Sequence, residues 1–355
     1  MGEAHNFYDL QPVQRLWYSF LRVYVRVGLH FYFKKIQIHG KENIPEGPVI
    51  FAANHQNAFM DALLIVCFNS HITHSLSRAD IFKKPFARWF LSNLNMIPVY
   101  RIRDGRQSLA ENKKTFEACS ELFRRNEAVV IFPEGNHGPR RRLRPLSKGF
   151  TRVAFEAIQK NPTMKISIIP VGLNYSSHQV FRSSVSVYFG ESIPANDYFA
   201  QLESNDLRNE LALGLKRLVT HVEDDERYEA IIQQLEITNP NYLDPISCNE
   251  RIARIEKGDT IPIHQVAPHP MAITWPLYFL TLLINFIPLM IWRNIKMRIK
   301  DPVFIASMRF GIGIFLFPFF YLAIGLLLSF LWGFQGLVIW LILSFPSMLF
   351  YDRTR

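Results

Sequence analysis

The chain has 355 residues, 49% hydrophobic, 14% aromatic and only 20% charged, with 40 Lys and Arg against 30 Asp and Glu. That length suits one catalytic domain with an appendage, and the apolar content excludes intrinsic disorder and collagen-like repeats. The net charge of +10 divides evenly between residues 1–270 and 271–355. This is mild for a nucleic-acid binder without a zinc-finger or helix-turn-helix signature, and it suits anionic headgroups or phosphorylated substrates better.

The amino terminus is polar and does not read as a secretory signal. Gly2 follows Met1, but Asn6 stands where a myristoylation pattern needs Ser or Thr. Residues 14–35 read as a cationic, aromatic-rich helix with Arg15, Arg22 and Arg26 on one face. Such a helix lies in a membrane interface with its apolar side down and Arg at the headgroups; the plainer alternative is a packed helix with its arginines in solvent.

Residues 36–200 alternate short β-branched runs with helical periods. The runs at 36–39, 49–53, 74–78, 97–101, 128–132, 166–173 and 185–189 predict strands, and 85–93, 108–125 and 148–159 predict helices. The alternation predicts an α/β domain whose helices cover a largely parallel sheet. Residues 201–270 form a charged helical extension, whose acidic run reads as a solvated face, and a connector containing several prolines.

Residues 271–355 form a hydrophobic membrane region. Stretches 271–292 and 310–351 hold no charge; the first is long enough for about one span and the second for two. Gly333 and Gly336 interrupt the second and predict its turn, leaving segments 310–331 and 335–351. The basic connector 293–309 and the terminal DRTR favour one side for both, so 310–351 is expected to go out and return. The 271–292 segment, with Pro276 and Pro288 near its ends, would then enter and leave on that same side. The catalytic domain is expected on the cytosolic face. The three cysteines, Cys67, Cys119 and Cys248, are far apart, which fits a reducing compartment and argues against disulfides or a zinc site.

Three clusters carry chemistry, each at the carboxyl end of a predicted strand, where open α/β sheets place ligands. The first is Asn54-His55-Gln56-Asn57 with Asp61. A carboxylate beside an imidazole fixes its tautomer and leaves the other nitrogen to take a proton from a hydroxyl. Six positions on a regular helix leave two side chains about 120° apart. The pair therefore requires His55 in the turn before a helix and Asp61 inside it; the alternative is an N-capping segment with Asn57 as cap. The second cluster is Phe132-Pro133-Glu134-Gly135, followed by Arg140, Arg141, Arg142, Arg144 and Lys148. Guanidinium groups grip phosphate, and Lys148-Gly149 opens a helix whose free N–H groups favour anions; a solvated basic loop is the alternative. The third is Ile97–Arg101 with Arg103 and Arg106 beyond it, where Arg101 either points into the same crevice or makes a surface ion pair.

These residues resemble the glycerolipid acyltransferase family, which includes lysophosphatidate and glycerol-3-phosphate acyltransferases. His55 with Asp61, Ile97 to Arg101, Phe132 to Gly135 and Ile168-Ile169-Pro170-Val171-Gly172 stand in the order and rough spacing of its four motif blocks over about 50–175. Most of the family has four residues between His and Asp; here there are five, similar to the fungal glycerol-3-phosphate/dihydroxyacetone-phosphate branch. The resemblance implies the glycerolipid acyltransferase fold and a direct attack without a covalent intermediate. His55 would be the general base and Asp61 its orienting partner. Arg101 and Lys148 would hold the acceptor phosphate, Glu134 and Gly135 would shape its glycerol pocket, and Asn54, Arg103 and Arg144 would support the site. The implied donor is acyl-CoA or acyl carrier protein, and the implied acceptor is 1-acyl-sn-glycerol 3-phosphate or sn-glycerol 3-phosphate, in phospholipid biosynthesis at a membrane. No metal or cofactor is expected, nor nucleic acid as a partner. Two other readings remain: O-acylation of another lysolipid, such as a lyso-amino-acid lipid, and a non-catalytic membrane lipid-binding protein.

Overall fold

In the computed structural model of the chain, residues 12–100, 106–201, 203–259 and 275–350 are described. Chain order begins with α1 (Pro12–Tyr32), β1 (Lys35–His39), β2 (Val49–Ala53), α2 (Phe59–Phe68), β3 (Thr73–Arg78) and α3 (Pro85–Asn93). It continues through β4 (Met96–Val99), α4 (Arg106–Arg124), β5 (Ala128–Ile131), α5 (Gly149–Lys160), β6 (Ser167–Tyr175), β7 (Ser184–Phe189) and β8 (Ile193–Pro194). Four helices follow: α6 (Ala195–Ala200), α7 (Ser204–Leu218), α8 (Tyr228–Ile237) and α9 (Pro245–Glu256). The chain then runs through α10 (Trp275–Ile284), α11 (Phe286–Lys296) and α12 (Phe304–Ser347).

The strands form one sheet in the order β1-β7-β6-β2-β5-β3-β4, with β8 beside β6. Pairing is parallel except where β6 meets β7 and β8. The expected α/β class and largely parallel sheet are what the chain adopts. Strand alternation divides the core in two. Ile50 and Ala52 of β2 face a layer of α4, α5 and α7. Val49, Phe51 and Ala53 face α1, α2 and the start of α12. Both faces are covered, so β2 is buried throughout.

The core runs past residue 200. Leu207, Leu211 and Leu215 of α7 are fully buried in the α5-side core. A Cβ on Gly172 would stand 2.2 Å from the Leu218 carbonyl oxygen, so this glycine lets the end of α7 lie directly on β6. The acidic run is a solvated face, as expected, that also pairs with the basic loop. Asp225 pairs with Arg140 and Arg142 at 3.0 and 2.9 Å, and Glu229 pairs with Arg140 at 3.2 Å.

Helix α1 turns an apolar side outward, with Val13, Leu16, Trp17, Phe20, Val23, Val27 and Phe31 exposed. Two of its arginines contact α2 and the turn after it. Arg22 donates to the carbonyls of His71 (3.1 Å) and Asn69, and Arg26 lies 5.2 Å over the Phe68 ring. These contacts tie α1 to α2 and to the turn that follows it.

Helix α12 is long and apolar enough to cross a membrane, and α10 with α11 form a second such stretch bent by 77°. Trp332 and Gly333 break α12, Gly333 at φ 67°. Gly325 packs against Leu337 and Trp340, and Trp340 Nε1 donates to the Tyr321 carbonyl at 3.0 Å. The two arms therefore run antiparallel, a hairpin turning at the expected glycine. At the α10–α11 bend the Asn285 side-chain Nδ2 donates to Thr281 O and Ser347 Oγ, both at 2.8 Å.

Candidate active site

Strands β2 and β5 are parallel neighbours, so Asn54-His55 and Phe132-Pro133-Glu134-Gly135 leave the sheet at the same edge. His55 sits in the turn and Asp61 in the first turn of α2, as the pairing requires. Asp61 is fully buried. Its Oδ2 accepts from His55 Nδ1 at 2.9 Å and from the Gln56 and Asn57 N–H groups at 2.8 Å each. Its Oδ1 accepts the Tyr175 hydroxyl at 2.5 Å. Asp61 itself thus serves the loop N–H groups, while Ala58, without a capping side chain, precedes α2. The expected alternative of an Asn57 cap is replaced by the carboxylate at the third residue of α2.

A carboxylate accepting on Nδ1 keeps that nitrogen protonated and leaves the Nε2 lone pair free. The His55 ring is stacked on Phe132, centroids 4.0 Å apart at 17°. Its side chain keeps 16% exposure, so it is held yet reachable. Burial and the adjacent Asp61 charge push the Tyr175 hydroxyl well above its ordinary pKa, which keeps it a donor to the carboxylate.

Glu134 is committed to the protein. Oε1 accepts the His55 N–H at 2.8 Å, and Oε2 accepts Arg144 Nε at 2.6 Å and Arg144 N at 3.1 Å. Its side chain is only 2% exposed. Burial raises its pKa, against which the Arg144 guanidinium acts. Arg144 also donates to Asn136 Oδ1 at 2.6 Å and to the His55 carbonyl at 3.1 Å. Glu134 and Arg144 therefore staple the turn after β5 to the loop after β2. Gly135, at φ 74°, lies in that turn. Asn54 faces the sheet, exchanging hydrogen bonds with the Leu173 backbone at 3.0 and 2.8 Å.

Most cations of the basic loop have partners within the chain. Arg140 and Arg142 meet the acidic run, and Arg141 is buried 3.2 Å over the Tyr242 ring while donating to Tyr175 O at 3.0 Å. The exception is Lys148, exposed and without an ion pair among the described residues. It borders a cleft of about 560 Å³ walled by Phe116, Arg152, Phe155 and Phe199. Ser147, beside it, donates its N–H to Pro133 O at 2.8 Å, but Lys148 makes no hydrogen bond to His55 or Asp61. Arg101 and Arg103 lie outside the described residues. Strand β4, which leads to them, is three strand positions from β2, about 14 Å at roughly 4.8 Å per strand.

Sequence reasoning missed Tyr175, Phe132 as a stacking partner, and His137. The His137 ring stands edge-on to His55 at 5.6 Å, and Phe304 packs edge-on against His137 at 4.8 Å. Burial pulls the His137 imidazole below its ordinary pKa, and nearby His55 acts the same way. Tyr175 closes a strand whose motif block had been singled out, so a signal was present; for Phe304, far along the chain, there was none.

Residues 35–174 match the Acyltransferase family model. Glycerol-3-phosphate O-acyltransferase 2 of Saccharomyces cerevisiae is 30% identical over 108 residues, 30% of this chain and 14% of that one. The chloroplastic 1-acyl-sn-glycerol-3-phosphate acyltransferase of Arabidopsis thaliana is 26% identical over 174 residues, 48% of this chain and 45% of that one. The chain thus spans less than half the length of these relatives. A solved structure, the 1-acyl-sn-glycerophosphate acyltransferase from Thermotoga maritima, superposes with a TM-score of 0.40 at 17% identity, covering 55% of this chain and 79% of that one. The His55–Asp61 pair and the Phe132–Gly135 turn both fall inside the segment, residues 35–174, that matches the Acyltransferase family model.

Proposed function

We propose that this chain is a membrane-bound O-acyltransferase that moves a fatty acyl group from acyl-CoA or acyl carrier protein to a hydroxyl of 1-acyl-sn-glycerol 3-phosphate or sn-glycerol 3-phosphate. The observation that carries the reading is the 2.9 Å contact of His55 Nδ1 with a buried Asp61. His55 Nε2 takes the acceptor's hydroxyl proton as that oxygen attacks the thioester carbonyl. The tetrahedral intermediate collapses to the new ester, and the departing thiolate receives the proton from the imidazolium, which Asp61 stabilises meanwhile. Arg101 and Lys148 are the cations assigned to the acceptor phosphate, each by charge-assisted hydrogen bonds. Glu134 and Gly135 act on the acceptor pocket through the shape of the turn, since the carboxylate is already occupied.

The exposed apolar side of α1 and the outer faces of α10 to α12 share the lipid-facing surface, and the bent α10–α11 pair suits a segment that enters and leaves on the cytosolic side. The test offers glycerol 3-phosphate, dihydroxyacetone phosphate and lysophosphatidate side by side to membranes containing the protein, with His55→Ala as the control. Acyl transfer to at least one acceptor, abolished in His55→Ala with membrane association intact, is the expected result. Full turnover in His55→Ala would remove His55 as the base.

A further inference from the structure

The start of α12 is wedged into the His55–Asp61 loop. Ala58, between the His and the Asp, has φ 44° and ψ −127°, a backbone region that a residue with a Cβ holds only when its surroundings impose it. One side chain grips both sides of it. Ser307 Oγ donates to Asn57 O at 2.9 Å and accepts the Met60 N–H at 3.0 Å. Ser307 is buried, between Ala306 and Phe310, which are themselves part of the core under β2. Arg309 adds a bond to the Gln179 carbonyl at 3.0 Å and lies 5.1 Å over the Trp292 ring of α11. Phe304, one turn earlier, presses on His137, which borders His55.

We propose that Ser307 is a positioning residue for the His55–Asp61 pair, and that the apolar hairpin it begins is a working wall of the active site as well as an anchor. The proposal rests on the acyltransferase reading for its kinetic consequence. The same loop N–H that Asp61 accepts, from Asn57, belongs to the residue whose carbonyl Ser307 holds. Fixing the Asn57–Met60 turn therefore fixes where Asp61 meets the imidazole. Membrane seating of the hairpin and alignment of the base become one rigid event.

The test uses the full chain in detergent or lipid. Ser307→Ala keeps the Met60 N–H bond to Asn57 O at 3.0 Å, so the turn retains a partner while losing its outside clamp. The expected result is a kcat lowered about 10- to 100-fold per folded molecule with little change in either Michaelis constant, the size of effect that about 1 Å of misplacement produces. Ser307→Thr, which retains the hydroxyl, restores most of the rate. Carbethoxylation of His55 by diethyl pyrocarbonate, mapped by peptide mass, rises several-fold in Ser307→Ala. Unchanged kcat together with unchanged His55 modification overturns the proposal, as does a loss that Thr does not repair. If the wild-type chain acylates none of the three acceptors, the acyltransferase reading fails and the modification ratio alone judges Ser307. Should Ser307→Ala be recovered only unfolded, Phe304→Ala, at a ring 40% exposed, decides in its place. Increased modification of His137 and His55 supports the wall, and no change overturns it.

Discussion

Replacing Asp61 with Asn separates the charge of this residue from its hydrogen bonds. Three donors converge on Oδ2: His55 Nδ1 at 2.9 Å and the Gln56 and Asn57 N–H groups at 2.8 Å. The two backbone donors cannot turn away, so they hold the asparagine with its carbonyl oxygen in that position. The amide nitrogen then meets the Tyr175 oxygen, whose hydroxyl rotates to accept. His55 keeps its tautomer and the loop keeps its shape. What disappears is the negative charge facing the imidazolium. Passing from a charge-assisted to a neutral hydrogen bond removes roughly 2 kcal/mol, and the Coulomb attraction at about 4 Å and an effective dielectric of about 20 sets an upper value of about 4 kcal/mol. At about 1.4 kcal/mol per decade, kcat/KM falls about 30- to 1000-fold in Asp61→Asn. Asp61→Ala instead strands two buried N–H groups and a buried hydroxyl at about 1–3 kcal/mol each, and is expected to unfold the loop. The assay is thiol release from acyl-CoA by purified protein in lipid micelles, with near-ultraviolet circular dichroism to check folding. A loss in Asp61→Asn as complete as that in His55→Ala, from a well-folded protein, would refute the pinned tautomer; undiminished activity would refute any use of the charge.

Further outcomes follow from other parts of the molecule. Gly172→Ala forces a Cβ to 2.2 Å from Leu218 O and is expected to destabilise by about 1–3 kcal/mol through overpacking; a thermal midpoint equal to wild type contradicts the close approach of α7 to β6. Arg101→Ala is expected to raise the Michaelis constant for a phosphorylated acceptor more than that for the acyl donor, and equal effects on both argue against a phosphate role. His178, whose Nε2 lies 3.2 Å from Gln56 Oε1, is lowered to about 4, chiefly by burial, with Arg141 acting in the same direction. Its neutral form is therefore favoured by folding. The contribution is intact above the unfolded value of about 6.5 and is lost as pH falls toward 4, by at most about 3.5 kcal/mol at about 1.4 kcal/mol per unit. Denaturant titrations at pH 7, 6 and 5 should show a steeper decline for wild type than for His178→Gln, and parallel declines would count against a depressed His178.

By itself the sequence determined the local chemistry. Runs bounded by turns marked β2 and β7 almost to the residue, β2 as the unbroken apolar signal of a strand buried on both faces and β7 as an alternation of serine and valine. The helix at Pro85–Asn93 was readable from its proline start. That His55 precedes a helix and Asp61 lies within it, if the two pair, followed from the helical repeat, and the hairpin turn from Gly333 and Gly336 interrupting 42 uncharged residues. Tertiary structure decided which charges are spent. The basic loop looked like a phosphate cradle, yet Arg140, Arg141, Arg142 and Arg144 find Asp225, Tyr242 and Glu134, since partners up to 101 positions away become neighbours only when the chain folds back. Likewise Arg22 of α1 turned toward carbonyls that exist as free acceptors only after α2 ends, while Arg26, still exposed, lies over the Phe68 ring. Tyr175 and Ser307 reach the site from 114 and about 250 positions away. A buried carboxylate needs every donor it can gather, and no periodicity along the chain could say which ones the sheet and the apolar hairpin would bring.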